Sequence, residues 1–98
     1  MKVIWSPLSL EKLDYYAEYI ARDNIDAALA FIDEVEDDAL SLKVHPFKGR
    51  MIPALNDEKK RELIIKGNYL LLYEINDDII EILTIRHVKQ NPKESGNP

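Results

Sequence analysis

The sequence predicts an α+β domain of order β-α-α-β-β-β, an antiparallel sheet with an N-terminal helical hairpin packed on one of its faces. Three observations predict it. Two stretches within residues 1–42 repeat their apolar residues at helical spacing. Three β-branched or aromatic runs follow residue 59, separated by short turn sequences. The 98 residues are long enough for one core and too short for two.

Each element follows from its residues. Val3-Ile4-Trp5 is short, apolar and β-prone, and Ser6-Pro7 stops it. The same Ser6-Pro7 begins a helix, since serine caps and proline fits the first turn. Leu10, Leu13, Tyr16, Ala17 and Ile20 then recur with helical period until Asp23-Asn24 interrupts. A second helix begins near Asp26, whose carboxylate suits a cap. Its buried stripe reads Ala28, Phe31, Ile32, Val35, Ala39 and Leu42, opposite the acidic run Glu34–Asp38, and His45-Pro46 closes it. Residues 46–59 show no sustained period and read as a loop. Lys60–Ile65, Tyr69–Ile75 and Ile79–Arg86 read as strands, joined through Lys66-Gly67-Asn68 and Asn76-Asp77-Asp78. The domain is expected over residues 1–89, with 90–98 a polar C-terminal tail.

Composition removes several functions. The chain has no cysteine, which excludes a disulfide scaffold, a thiolate zinc site and a cysteine nucleophile, and fits a reducing cytoplasm. Two lone histidines give no metal-ligand spacing, and neither a metal nor a cofactor is expected. No apolar run reaches bilayer-spanning length and the N-terminus lacks signal-peptide character, so no membrane partner is expected. The net charge of −5 opposes general nucleic-acid binding. That charge is uneven. Residues 1–42 carry three cations against ten carboxylates, a net of −7, whereas residues 43–98 carry ten against eight, a net of +2.

The sheet face away from the helices is the place for a site, because one hairpin cannot cover both faces. Strict alternation groups Tyr69, Leu71, Tyr73 and Ile75 against Leu70, Leu72 and Glu74. Over residues 79–88 it groups Ile80, Ile82, Thr84, Arg86 and Val88 against Ile79, Glu81, Leu83, Ile85 and His87. Both sets are largely apolar, which marks a binding surface more than a catalytic one. His87 is an acid–base candidate beside Arg86 and Lys89, although a strand-end histidine also serves simply by bonding loop backbone. The cations Lys48, Arg50, Lys59, Lys60 and Arg61 fit phosphates or an acidic partner, and equally a solvated sheet edge.

Several short motifs, taken in order, carry a resemblance. They are Trp5-Ser6-Pro7, Tyr19-Ile20-Ala21, Ala27-Ala28 with Phe31-Ile32, and His45-Pro46 with Gly49-Arg50 and Pro53. Arg61-Glu62-Leu63-Ile64, Tyr69 to Tyr73 and Ile82-Leu83 before Arg86-His87 complete them. Over roughly residues 3–89 the chain resembles the RelE/ParE superfamily of type II toxin–antitoxin toxins, also known from plasmid stabilisation and stress response, and lies closer to ParE-like than to RelE-like members. The resemblance implies a toxin neutralised by a cognate antitoxin, as a homodimer or a heterotetramer with it. It also implies one of two actions: DNA gyrase inhibition by protein contact, or ribosome-dependent mRNA cleavage by an endoribonuclease. The nuclease branch places arginines where this chain has Leu70, Glu74 and Val88, so the non-enzymatic action is expected. The binding set is then Arg50, Arg61, Leu70, Leu72, Glu74, Arg86 and His87; under the nuclease alternative the catalytic set is Arg61, His87 and Lys89. A degenerate, non-toxic antitoxin-binding homologue is the third reading.

Overall fold

A computed structural model describes residues 1–89 of the chain; the expected tail at 90–98 lies outside the described residues. The elements are β1 (Lys2–Trp5), α1 (Pro7–Ala21), α2 (Ile25–Ser41), β2 (Arg50–Met51), β3 (Lys60–Ile65), β4 (Tyr69–Asn76) and β5 (Ile79–His87). They form one five-stranded sheet of order β1-β5-β4-β3-β2. The α+β reading holds, with two corrections to the sheet. The loop at 46–59 contains a short strand, β2, antiparallel to β3. The sheet is also mixed, because β1 pairs with β5 in parallel. Strands joined by tight turns must run antiparallel, as β3, β4 and β5 do, but β1 is joined onward through two helices and is free of that constraint.

Ser6 caps α1 as expected. Its hydroxyl accepts the Ser9 N–H at 3.0 Å and donates to the Leu83 carbonyl at 2.8 Å, tying the helix start to β5. The cap of α2 is Asn24 rather than Asp26. Asn24 has extended backbone and its side chain accepts the Ala27 N–H at 3.0 Å. Asp26 sits one step inside, where its charge meets the positive end of the helix dipole. The helix ends at Ser41, and successive i to i−3 turns carry the chain to His45-Pro46. Lys66 and Gly67 both have positive φ (54° and 76°), a turn conformation that favours glycine.

The core lies between hairpin and sheet. Phe31, Val35 and Leu42 from the α2 region meet Ile65, Leu71, Tyr73, Ile80, Ile82 and Ile85. The expected β4 set faces this core, but the last strand departs from strict alternation. Leu72 pairs with Thr84 while Tyr73 pairs with Ile82, so Leu83 is an extra residue. Past this bulge the two faces exchange. Ile80, Ile82, Ile85 and His87 lie on the helix side; Thr84 and Arg86 lie on the open side. The grouping of Ile85 and His87 with Ile79 and Glu81 is therefore wrong, because period-two counting cannot see an inserted residue.

Candidate functional site

The open face is built in rows across the strands. Glu62, Leu72 and Thr84 are register partners, as are Ile64, Leu70 and Arg86, while Arg50 at the edge pairs with Glu62. The chain after β2 folds over this face. Ile52, Pro53 and Leu55 join Arg50, Glu62, Leu70, Arg86, Val88 and Lys89 around a cleft of about 700 Å³. Ile52 and Leu70 are buried, yet both stand outside the main core cluster. The cleft thus has a small apolar floor of its own, ringed by charge.

That charge is organised around Glu62, only 3% exposed. Arg50 grips its Oε2 with Nε at 2.7 Å and Nη2 at 2.6 Å, so Arg50 balances a carboxylate that would otherwise be buried alone. Arg86, opposite Leu70, is different. Its buried Nε has no hydrogen-bond partner among the described residues. An unsatisfied cationic donor beside a cleft is a place for an anionic group.

Of the predicted site residues, the structure brings Arg50, Leu70, Arg86 and Lys89 to this cleft, with Leu72 in the adjoining row. Glu74 lies farther along the same face, between Lys60 and Glu81 in the strand register. Arg61 and His87 are elsewhere. Arg61 lies on the other face of β3, where Nη1 donates to the Gly49 carbonyl and Nε to the Glu58 carbonyl, both at 2.9 Å. Its guanidinium also stands 4.8 Å over the Phe47 ring. His87 lies edge-on to Tyr69 at 5.0 Å, and its Nδ1 accepts the Lys89 N–H at 3.1 Å. Arg61 pairs with Tyr73 and His87 with Tyr69, four positions apart on β4, which is about 13 Å along the strand. The three residues of the nuclease set are not assembled.

Sequence reasoning missed three contributors. Glu62 reads as an ordinary strand carboxylate until Arg50 is known to pair with it, and that pairing needs β2. Tyr73 donates to the Pro46 carbonyl at 2.7 Å and accepts the Gly49 N–H at 2.9 Å, holding the approach to β2. Burial pushes its phenol above the ordinary tyrosine value, while the Gly49 N–H and Arg61 act in the opposite direction. Gly49 lets the backbones close; a Cβ there would lie 2.7 Å from the Glu62 carbonyl oxygen. The available signal was Gly49 itself, directly before Arg50.

Among the described residues no group of three or more His, Cys, Asp or Glu could hold a metal, and no helix is long and apolar enough to cross a membrane.

Comparison with known proteins bears on this geometry. The family model described as the ParE toxin of the type II toxin–antitoxin system parDE matches residues 3–92. Y4kP of Sinorhizobium fredii (strain NBRC 101917 / NGR234) is 31% identical over 90 residues, covering 91% of this chain and 90% of that protein. Toxin RelE2 of Caulobacter vibrioides is 29% identical over 86 residues, covering 88% of this chain and 93% of its own. A solved chain of the chromosomal ParDE TA system from P. aeruginosa has the same fold, with a TM-score of 0.73 at 20% identity, covering 91% of this chain and 97% of that one.

Proposed function

The chain belongs to the ParE toxin family of type II toxin–antitoxin systems, and from that premise we propose that it acts by protein–protein contact, with DNA gyrase its target and a cognate antitoxin its neutraliser. The observation that carries this reading is the cleft's composition. Its floor is Leu70 and Ile52, and Leu55 and Val88 line it as well. Strand cleavage requires a base, an acid and charge stabilisation within reach of one phosphate. Arg61 is engaged with loop backbone on the opposite face, and His87 is on that face too. An apolar floor ringed by Arg50, Arg86 and Lys89 suits an acidic-apolar segment of a protein.

One observation favours a second reading. Arg86 Nε, Arg50 and Lys89 share a cleft, and the same donors would hold an RNA phosphate, as a ribosome-dependent mRNA interferase needs.

Induction of the chain in cells, with two readouts, tests the proposal. Growth arrest with SOS induction and trapped gyrase–DNA complexes is the expected result. Transcripts cut at ribosomal codons would overturn it in favour of the interferase. The absence of any growth defect would overturn both and leave a homologue that only binds antitoxin. Arg86→Gln should weaken the active phenotype while leaving the thermal transition of the purified protein in place.

A further inference from the structure

The open-face cleft contains a charge that the chain itself does not answer. Arg86 is partly buried, yet it makes neither a hydrogen bond nor an ion pair among the described residues. Its row across the sheet is Leu70 and Ile64, and Thr84 and Val88 flank it along the same face. None of these carries charge. The carboxylate in the lining is Glu62, and Arg50 already holds it with two nitrogens. Lys89 lines the cleft too and has no ion pair among the described residues. Arg50 and Glu62 cancel, which leaves Arg86 and Lys89 uncompensated. A cation drawn out of water without a counter-ion is costly, and an anion from outside removes that cost.

The apolar part of the lining lies across the sheet from these cations. Arg86, Val88 and Lys89 stand at and just beyond the end of β5, whereas Ile52, Pro53, Ala54 and Leu55 follow β2. In the order β5-β4-β3-β2 the two groups are three strand spacings apart, roughly 14 Å, with Leu70 on β4 between them. Apart from the self-neutralised Arg50–Glu62 pair, the side toward β2 is apolar.

We propose that this cleft binds a medium-chain fatty acid, its carboxylate on Arg86 and Lys89 and its alkyl chain crossing Leu70 toward Ile52 and Leu55. A carboxylate matches a guanidinium through two parallel hydrogen bonds. At about 1.25 Å of rise per carbon in an extended chain, a span of roughly 14 Å takes about eleven carbons. The volume of about 700 Å³ falls within the range of small-molecule sites. Inorganic phosphate would leave the apolar side empty. A nucleotide would set sugar hydroxyls and base donors against Leu70, Ile52 and Leu55, where no partner waits for them. The cleft is also the surface proposed to meet gyrase, so a bound fatty acid would compete with that partner. This competition rests on the gyrase reading; binding to the free chain does not.

The test is calorimetric titration of the full chain with hexanoate, octanoate, decanoate, dodecanoate and tetradecanoate, each kept below its micelle concentration. Decylamine serves as the control for charge sign, and NMR of the methyl groups locates the ligand. Affinity should rise about tenfold for each two carbons up to decanoate or dodecanoate and then level off, as the chain outruns the cleft. The methyl signals of Ile52, Leu55, Leu70 and Val88 should shift saturably. Arg86→Gln should weaken decanoate about tenfold, and Arg86→Lys should retain part of the affinity. Leu55 is 52% exposed, so Leu55→Gln leaves the core untouched; it should weaken dodecanoate and spare hexanoate. No binding of any member at millimolar concentration would overturn the proposal. So would affinity that keeps rising to tetradecanoate, equal affinity for decylamine, affinity unaffected by Arg86→Gln, or binding of adenosine monophosphate without binding of decanoate. Decanoate binding by a chain that traps no gyrase in cells would uphold this site and refute the gyrase reading alone; trapped gyrase without decanoate binding would do the reverse.

Discussion

Replacing Gly49 by alanine tests the joint on which the open-face cleft depends. An added Cβ would lie 2.7 Å from the Glu62 carbonyl oxygen, 2.8 Å from the Tyr73 hydroxyl and 2.9 Å from a Tyr73 ring carbon. The first is backbone of β3 and cannot swing aside, and the Tyr73 side chain is fully buried. Overpacking of this kind costs about 1–3 kcal/mol, and loss of the Tyr73–Gly49 hydrogen bond adds about 1 kcal/mol. The sum, about 2–4 kcal/mol, corresponds to a fall in Tm of roughly 10–30 °C for a domain of this size. Urea unfolding and a thermal scan of wild type, Gly49→Ala, Tyr73→Phe and the double variant make the assay. Tyr73→Phe removes one of the clashing atoms, so the double variant should be destabilised by less than the sum of the singles. A Gly49→Ala protein within about 0.5 kcal/mol of wild type would refute the close approach of β2 to β3. Additive singles would place the clash on the β3 backbone alone.

Other perturbations probe neighbouring parts of the same frame. Arg61→Ala removes two hydrogen bonds to loop carbonyls and the contact with Phe47, and should cost about 1–3 kcal/mol in urea unfolding; an unchanged midpoint would return Arg61 to the list of functional residues. Arg50→Ala leaves Glu62 buried without its ion pair and should cost about 1–3 kcal/mol, the large exposure of Arg50 keeping the figure below that of a fully buried pair. Ser6→Ala should cost about 1–2 kcal/mol, because one hydroxyl both caps α1 and satisfies the Leu83 carbonyl at the bulge. Burial holds the Tyr73 phenol above the ordinary value of 10.0, so its contribution is complete below pH 10 and is lost as pH rises through the folded-state value. The stability gap between wild type and Tyr73→Phe should therefore narrow in urea titrations run above pH 10; a gap that widens would reverse the sign of this linkage.

The elements that could be read from the sequence are those specified by local pattern. The stripe from Ala28 to Leu42 is periodic because a helix must bury one face, and Lys66-Gly67-Asn68 marks a turn because its backbone needs positive φ. What escaped reading is specified by distant partners. Arg50–Met51 is a strand only because β3 lies beside it, and two residues generate no period. Leu83 becomes a bulge because β4 offers Thr84 and Ile82 adjacent partners, Leu72 and Tyr73, with none for Leu83 between them. Its carbonyl is taken by the Ser6 hydroxyl, 77 residues away in the chain.

The bulge decides which side of the sheet each functional side chain occupies. Were Leu83 paired in regular alternation instead of bulged, residues 84–87 would move by one position, and each would change face. Arg86 would turn toward the core layer, where Tyr69 and Leu71 leave no room for a guanidinium, and His87 would face the cleft. With Leu83 bulged out of the ladder, Arg86 reaches the cleft beside Leu70, and His87 joins the tyrosines of α1. The bulge thus gives the two sides of the sheet different chemistry: a cleft with an apolar floor and a charged rim on the open side, and a pocket lined by tyrosines and His87 on the helix side. Deleting Leu83 would leave that assignment in place, because Ile82 would directly precede Thr84 and their partners Tyr73 and Leu72 are already consecutive. The folded deletion variant should therefore keep the Tyr69 and His87 rings in contact, as NMR of their ring signals would show; loss of that contact would mean that the faces of β5 depend on Leu83 itself rather than on the pairing with β4.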